Sequence, residues 1–172
     1  PKDPPVVKRR IAIFPATFAD WKRHKLFAES VRNGFCFGYM YHDHEQYCWE
    51  VPQSLGIMIG PHCSSEFVAY LMNASHSCLI TSSKVGGSQR TVLEALACNI
   101  RPIVMSDSDK TSEYVYEAGY GMVVEPEVGA IMEAVEKCKM IGSGNAGRDY
   151  IEKKWSAEKF KNDIIEGIKK SL

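Results

Sequence analysis

The sequence predicts an α/β domain, doubly wound, with a mostly parallel six-stranded sheet and helices on both faces. Three observations carry that prediction. Short apolar runs and helical periodicities alternate along nearly the whole chain, as successive βαβ units require. The runs, such as RIAIFP at 10–15 and PIVM at 102–105, are continuously apolar rather than alternating, which suits strands covered on both faces. The stretch GGSQRTVLEALACNIRPIV, 86–104, reads as glycine loop, helix and strand in succession. Such a unit places a ligand at the carboxyl end of a parallel sheet.

A chain of 172 residues holds one such domain with a real core. Residues 1–8 are proline-rich and read as an extended lead-in or linker, leaving 9–172 as a single domain. A start at Pro1 without methionine fits a processed chain or an excised domain. The first strand is 10–15. A helix follows over 20–33, with apolar positions Trp21, Leu26, Phe27 and Val31, Asp20 as N-cap and Gly34 as stop. The second strand is 35–41, and 42–53 has no clear period and reads as loop or a poorly formed helix. The third strand, 55–59, ends at Gly60-Pro61. Ser64 or Ser65 caps a helix through Met72, with Glu66 in its first turn. The fourth strand is 77–81. The central helix buries Val92, Leu93, Leu96 and Ala97, and the fifth strand is 102–105. A Ser/Asp turn at 106–110 leads to a short helix, 111–118, ended by Gly119. The sixth strand is 121–125, and 128–140 is an amphipathic helix. After a Gly/Ser/Asn break at 141–147, helices at 146–153 and 157–170 close the chain, with Trp155 anchoring the link between them.

Composition narrows the function. The formal net charge is +0, so no basic surface for nucleic acid is expected, and a phosphate must be held by a few placed residues. The six cysteines show no C-x-x-C, and Cys78 and Cys98 fall inside buried elements. That favours free thiols in a reducing, cytoplasmic setting over a disulfide framework. No run is long and apolar enough to span a bilayer, and no signal peptide is visible.

The chemistry centres on Gly86-Gly87 and the helix behind it. A loop that feeds backbone N–H groups into a helix N-terminus is an anion site, because the first-turn donors are unpaired and the helix dipole is positive there. A diphosphate is the expected occupant. Glu94, about one turn in, would repel that phosphate at close range and so suits the neutral hydroxyls of a sugar or ribose. Against this stand plainer readings: Glu94 as a solvated helix carboxylate, Lys22-Arg23-His24-Lys25 as a solvated basic face, and Arg90 as a surface residue. His42-x-His44 with Cys48 lacks a fourth ligand and the spacing of a closed metal site, so no metal is expected. Asp107-Ser-Asp109 follows the fifth strand and reads as turn chemistry. His62 and His76 read as loop and strand-edge residues.

The segment SSKVGGSQRTVLEALACNIRPIVMSD, 82–107, resembles the donor-binding half of family 4 glycosyltransferases, whose pattern runs Pro-Ser-x-x-Glu-Gly-Phe-Gly-Leu-Thr-x-x-Glu-Ala-x-Ala-x-Gly-x-Pro-Val. The flanks LMNASHSCLITSS, SEYVYEAGYGMVVEP and WSAEKFKNDIIEGI are similar to its neighbouring segments. The resemblance runs from about Leu55 onward; before that it rests on one strand and Trp21-Lys22. It implies the Rossmann-like, C-terminal half of a GT-B fold and a retaining transfer of sugar from a nucleotide diphosphate sugar to a carbohydrate or lipid-linked acceptor. It implies that the loop shaped by Gly86 and Gly87 holds the diphosphate through backbone groups of Ser88, Gln89, Arg90 and Thr91. By the same resemblance Glu94 grips the ribose, Lys22 neutralises the phosphates, and Pro61-His62 borders the base. The implied partners are the nucleotide sugar and an N-terminal acceptor-binding domain of the same enzyme, with peripheral membrane association through that missing half. No cofactor or metal is implied. Two departures stand out. The family's first motif glutamate falls at Gly86, and an arginine five residues before the lysine falls at Thr17. Arg90 is the expected replacement cation, since guanidinium forks onto phosphate well. The loss at Gly86 keeps open a non-catalytic nucleotide- or protein-binding module. An epimerase-like enzyme would need a carboxylate pair and histidine that the sequence does not place.

Overall fold

In the computed structural model, which describes residues 10–39, 58–60, 63–141 and 144–171, every strand pairing is parallel. All strand carboxyl ends therefore lie along one edge. The strands are β1 (Arg10–Pro15), β2 (Gly34–Phe37), β3 (Met58–Gly60), β4 (Ser75–Ile80), β5 (Arg101–Met105) and β6 (Met122–Val124). Their spatial order is β3-β2-β1-β4-β5-β6. Direction reverses between β1 and β4, the switch point at which doubly wound sheets open a crevice.

The helices are α1 (His24–Ser30), α2 (Ser65–Asn73), α3 (Gln89–Ala97), α4 (Asp109–Ala118), α5 (Val128–Met140), α6 (Ala146–Trp155) and α7 (Ala157–Ser171). Right-handed crossovers put α1 on one face and α2, α3 and α4 on the other. α5 returns across the first face, packing on β1, β4 and β5 and against α1. α6 lies on α3, and α7 packs on α6. Ile13, Phe14, Leu79, Ile103 and Val104 fill the centre of the sheet and are fully buried, as are Val92 and Leu96 of α3.

Most expected elements are present, and the differences have physical causes. The helix expected over 20–33 is broken. A 3-10 turn, Asp20–Lys22, ends at Arg23 in the left-handed region (φ 53°), and α1 starts only at His24. Tertiary hydrogen bonds hold that turn: Thr81 Oγ1 donates to the Lys22 carbonyl at 2.8 Å, and Ser83 N–H donates to the Trp21 carbonyl at 2.9 Å. Asp20 is inside the turn rather than its cap, Trp21 is 40% exposed, and Gly34 begins β2 rather than stopping a helix. The central helix buries Thr91, Val92, Ala95 and Leu96; Leu93 and Ala97, expected inside, are half-buried. Its phase is fixed at the start, where Thr91 Oγ1 donates to the Pro15 carbonyl at 3.2 Å. β4 begins and ends earlier than expected. α4 starts at Asp109, inside the expected turn. Ser64 caps α2, accepting from Phe67 N–H at 3.3 Å. Gly119 ends α4 in the left-handed region (φ 58°). Trp155 meets Tyr114 edge-on with ring centres 5.8 Å apart. The expected second-strand end at 40–41, the loop 42–53, residues 55–57, His62 and the lead-in 1–8 lie outside the described residues. Cys36, Cys63, Cys78, Cys98 and Cys138 are free thiols. Among the described residues no helix is long and apolar enough to cross a membrane.

Candidate functional site

The carboxyl ends of β1 and β2 open into a cleft of about 670 Å³ between α2 and α3. α2 lines it with Val68, Ala69 and Met72, and α3 with Arg90, Thr91, Glu94, Ala97 and Cys98. These positions are three, four and seven residues apart, so each helix turns a single face to the cleft. The α2 wall is largely apolar and suits a flat, weakly polar ring; the α3 wall carries the charge.

Glu94 stands midway along the α3 wall. Burial lifts its pKa above the ordinary carboxylate value, and Arg90 opposes that shift in part. Arg90 Nε is 3.4 Å from Glu94 Oε1, with the Arg90 side chain 90% exposed. The structure thus turns Arg90 along the helix onto Glu94, at the rim of the cleft, rather than forward over the helix mouth. An exposed i,i+4 pair of this kind contributes little to stability and releases readily.

At the mouth of α3, Gly87 (φ 65°) and Ser88 (φ 84°) both take left-handed backbone. Gly87 does so without penalty, whereas Ser88 is held there by its side chain. Ser88 Oγ accepts from Lys22 Nζ at 2.7 Å and shares a 2.8 Å hydrogen bond with Ser82 Oγ. The helix has no side-chain cap, and its first bond runs from Val92 N–H to the Ser88 carbonyl at 3.2 Å. The amides of Gln89, Arg90 and Thr91 thus precede any helical acceptor, which leaves donors and the positive end of the dipole facing outward.

Lys22 is buried, not part of a solvated face. Its ammonium donates to the Gly86 carbonyl and to Ser88 Oγ. Burial lowers its pKa, and no carboxylate among the described residues pairs with it. A buried cation without a counter-charge favours an incoming anion. Of its neighbours in the cluster, Arg23 is half-buried, His24 is buried and Lys25 faces solvent. Arg23 makes a two-pronged pair with Asp107, and His24 is fully buried, stacked on Phe18 with ring centres 4.6 Å apart. Burial, and secondarily the Lys22 charge, lower the His24 pKa to about 3, so the ring stays neutral.

Gly86 differs from the expectation for a phosphate loop. Its N–H donates to the Ser83 carbonyl at 2.8 Å and its carbonyl accepts from Lys22, so both backbone groups are already engaged. A Cβ at Gly86 would lie 2.7 Å from the Trp21 carbonyl oxygen, closer than packing allows. Thr17 lines the cleft without a charge to offer. The structure therefore gathers Lys22, Gly87, Ser88, Gln89 and Thr91 at the helix mouth and sets Glu94 and Arg90 on the cleft wall. His62 lies outside the described residues. Sequence reasoning missed Thr81 and Ser82, which hold the lysine turn and the loop. Their signal was a run of small hydroxyl residues directly after a buried strand. Among the described residues no group of His, Cys, Asp and Glu is arranged to hold a metal ion. Asp107 is paired with Arg23, and Asp109 lies 3.5 Å from Lys84.

No family model matches the sequence, and no curated protein matches it in sequence. Solved structures do match in fold. One is Alr3699/HepE from Anabaena in complex with UDP, at 16% identity and a TM-score of 0.76, covering 95% of this chain and 49% of that one. Sucrose-phosphate synthase from Thermosynechococcus elongatus has a TM-score of 0.77 at 14% identity, with 95% and 46% covered. The C-terminal domain of a glycosyl transferase group 1 family protein (LpcC) from Francisella tularensis has a TM-score of 0.69 at 16% identity, with 88% and 89% covered. At these identities the likeness establishes the fold alone. The chain spans about half the length of the first two proteins and nearly all of the third domain.

Proposed function

We propose that this chain is the donor-binding domain of a retaining glycosyltransferase of the GT-B type, similar to family 4. One observation carries the reading: a mostly apolar cleft at the sheet's switch point adjoins an uncapped helix mouth backed by a buried lysine that no carboxylate among the described residues neutralises. The nucleoside lies in the cleft, with its ribose hydroxyls on Glu94. The diphosphate meets the amides of Gln89, Arg90 and Thr91 with Lys22 behind them. Negative charge builds on the diphosphate as the glycosidic bond breaks, and fixed N–H donors and a cation lower that barrier. Arg90, once released from Glu94, adds a second cation. This chemistry needs no metal. The solved structures of similar fold include one with UDP and one with UDP-glucose bound, which supports a nucleotide sugar as ligand here.

The acceptor, carbohydrate or lipid-linked, is held by a second domain that precedes this one in the same enzyme. Cytoplasmic location and membrane association through that half belong to the same proposal. A second reading, a nucleotide-binding module without transfer activity, is favoured by Gly86, where the Trp21 carbonyl leaves no room for a carboxylate. Thermal unfolding with UDP, GDP, ADP and their sugar conjugates tests both, since a bound ligand at 100 times its Kd raises stability by about 2.7 kcal/mol. Stabilisation by a nucleoside diphosphate and by its sugar conjugate fits the donor domain. Stabilisation by neither overturns both readings.

A further inference from the structure

We propose that the exposed indole of Trp21 forms the surface for the group carried on the distal phosphate, and that this group is a neutral sugar presenting a C–H face. This rests on the nucleoside diphosphate reading above. Residues on the two sides of the α3 mouth divide the ligand's path. Arg90, Thr91 and Glu94 line the nucleoside cleft. Lys22, Gly86 and Ser88 are joined to one another on the other side and do not line it. A diphosphate on the intervening amides directs its far end toward Gly86.

No side chain can leave the main chain at that point. A Cβ on Gly86 would sit 2.7 Å from the Trp21 carbonyl oxygen and 3.2 Å from Trp21 Cδ1. What stands there is the tryptophan, 40% exposed, with its carbonyl fixed by Ser83 N–H at 2.9 Å. The adjacent Lys22 donates to the Gly86 carbonyl and Ser88 Oγ. An indole offers a broad apolar face and a single N–H donor. It has no charge to neutralise an anionic substituent, but it can cover the C–H face of a pyranose, as aromatic side chains do in apolar ligand sites.

Titration calorimetry with UDP and UDP-glucose, and with the matching ADP and GDP pairs, tests the proposal on the wild-type chain, Trp21→Ala and Trp21→Phe. The sugar nucleotide is expected to bind about five- to tenfold tighter than its nucleotide. Trp21→Ala removes that margin and leaves the nucleotide affinity unchanged, whereas Trp21→Phe keeps most of it. Indole fluorescence responds to the sugar nucleotide beyond its response to the nucleotide in the wild type, and this excess disappears in Trp21→Ala. Equal affinity for the two ligands in the wild type, or a margin that survives Trp21→Ala, overturns the proposal. Failure of every nucleotide to bind instead overturns the ligand reading beneath it.

Discussion

Glu94 and His24 show how burial sets the behaviour of single residues. Glu94 accepts hydroxyl hydrogen bonds best when ionised, and its half-buried position raises its pKa. Nucleotide affinity should therefore weaken on acidification, starting above the ordinary carboxylate value of 4.5. Glu94→Gln should bind UDP about tenfold more weakly near neutral pH and lose that acid limb. Calorimetry across pH 4 to 7 decides between this role and that of a solvated carboxylate, for which affinity would not change. His24 works through stability. Its folded pKa is depressed from 6.5 to about 3, so below pH 6.5 the unfolded chain binds a proton that the folded chain refuses. Stability then falls as pH drops through that window, by up to about 1.4 kcal/mol per pH unit. Neither ring nitrogen has a hydrogen-bond partner in the described structure, so His24→Phe should fold. Its urea midpoint should fall less than the wild type's between pH 6.5 and 4.

At the scale of elements, the turn at 20–23 and the loop before α3 act as one unit. Thr81 donates to the carbonyls of both Lys22 and Arg23, at 2.8 and 3.2 Å, and so fixes the direction of the Lys22 side chain. Thr81→Val leaves buried carbonyls without a donor and should cost about 1–3 kcal/mol in urea unfolding, with most of the loss restored by Thr81→Ser. The strand and helix succession was legible because apolar period is a local signal, and the αL glycine after α4 could be read for the same reason. The break at Arg23 was not legible, since donors from Thr81 and Ser83 replace the helical bonds there. The burial phase of α3 escaped as well, because a contact to Pro15 sets it. Spacing and resemblance point to Gly87, Lys22 and Glu94, and the fold sets Gly87 and Lys22 at one helix mouth with Glu94 on the adjoining cleft wall. That Trp21 fills the space above Gly86 could not be read from the sequence, as only folding brings those two segments together.

For the molecule as a whole, the chain spans about half the length of two proteins it resembles in fold, and under the donor-domain proposal it holds one side of a two-sided reaction. This chain by itself should bind UDP or another nucleoside diphosphate and show no sugar transfer to added acceptors, as followed by release of free nucleotide. A chelator such as EDTA should leave that binding unchanged, since N–H groups and lysine supply the positive field. Turnover by the isolated chain, or binding that needs a divalent ion, would contradict this division of labour. The Arg23–Asp107 pair has a further consequence. It joins the segment after β1 to the segment after β5, and β4 runs between those strands. Among the described residues, the sheet's rim is thus clasped over β4 by an ion pair. Under the donor-domain proposal, that clasp would hold the two strand ends flanking the phosphate loop in one register, so a guest would meet a frame already set before it arrives.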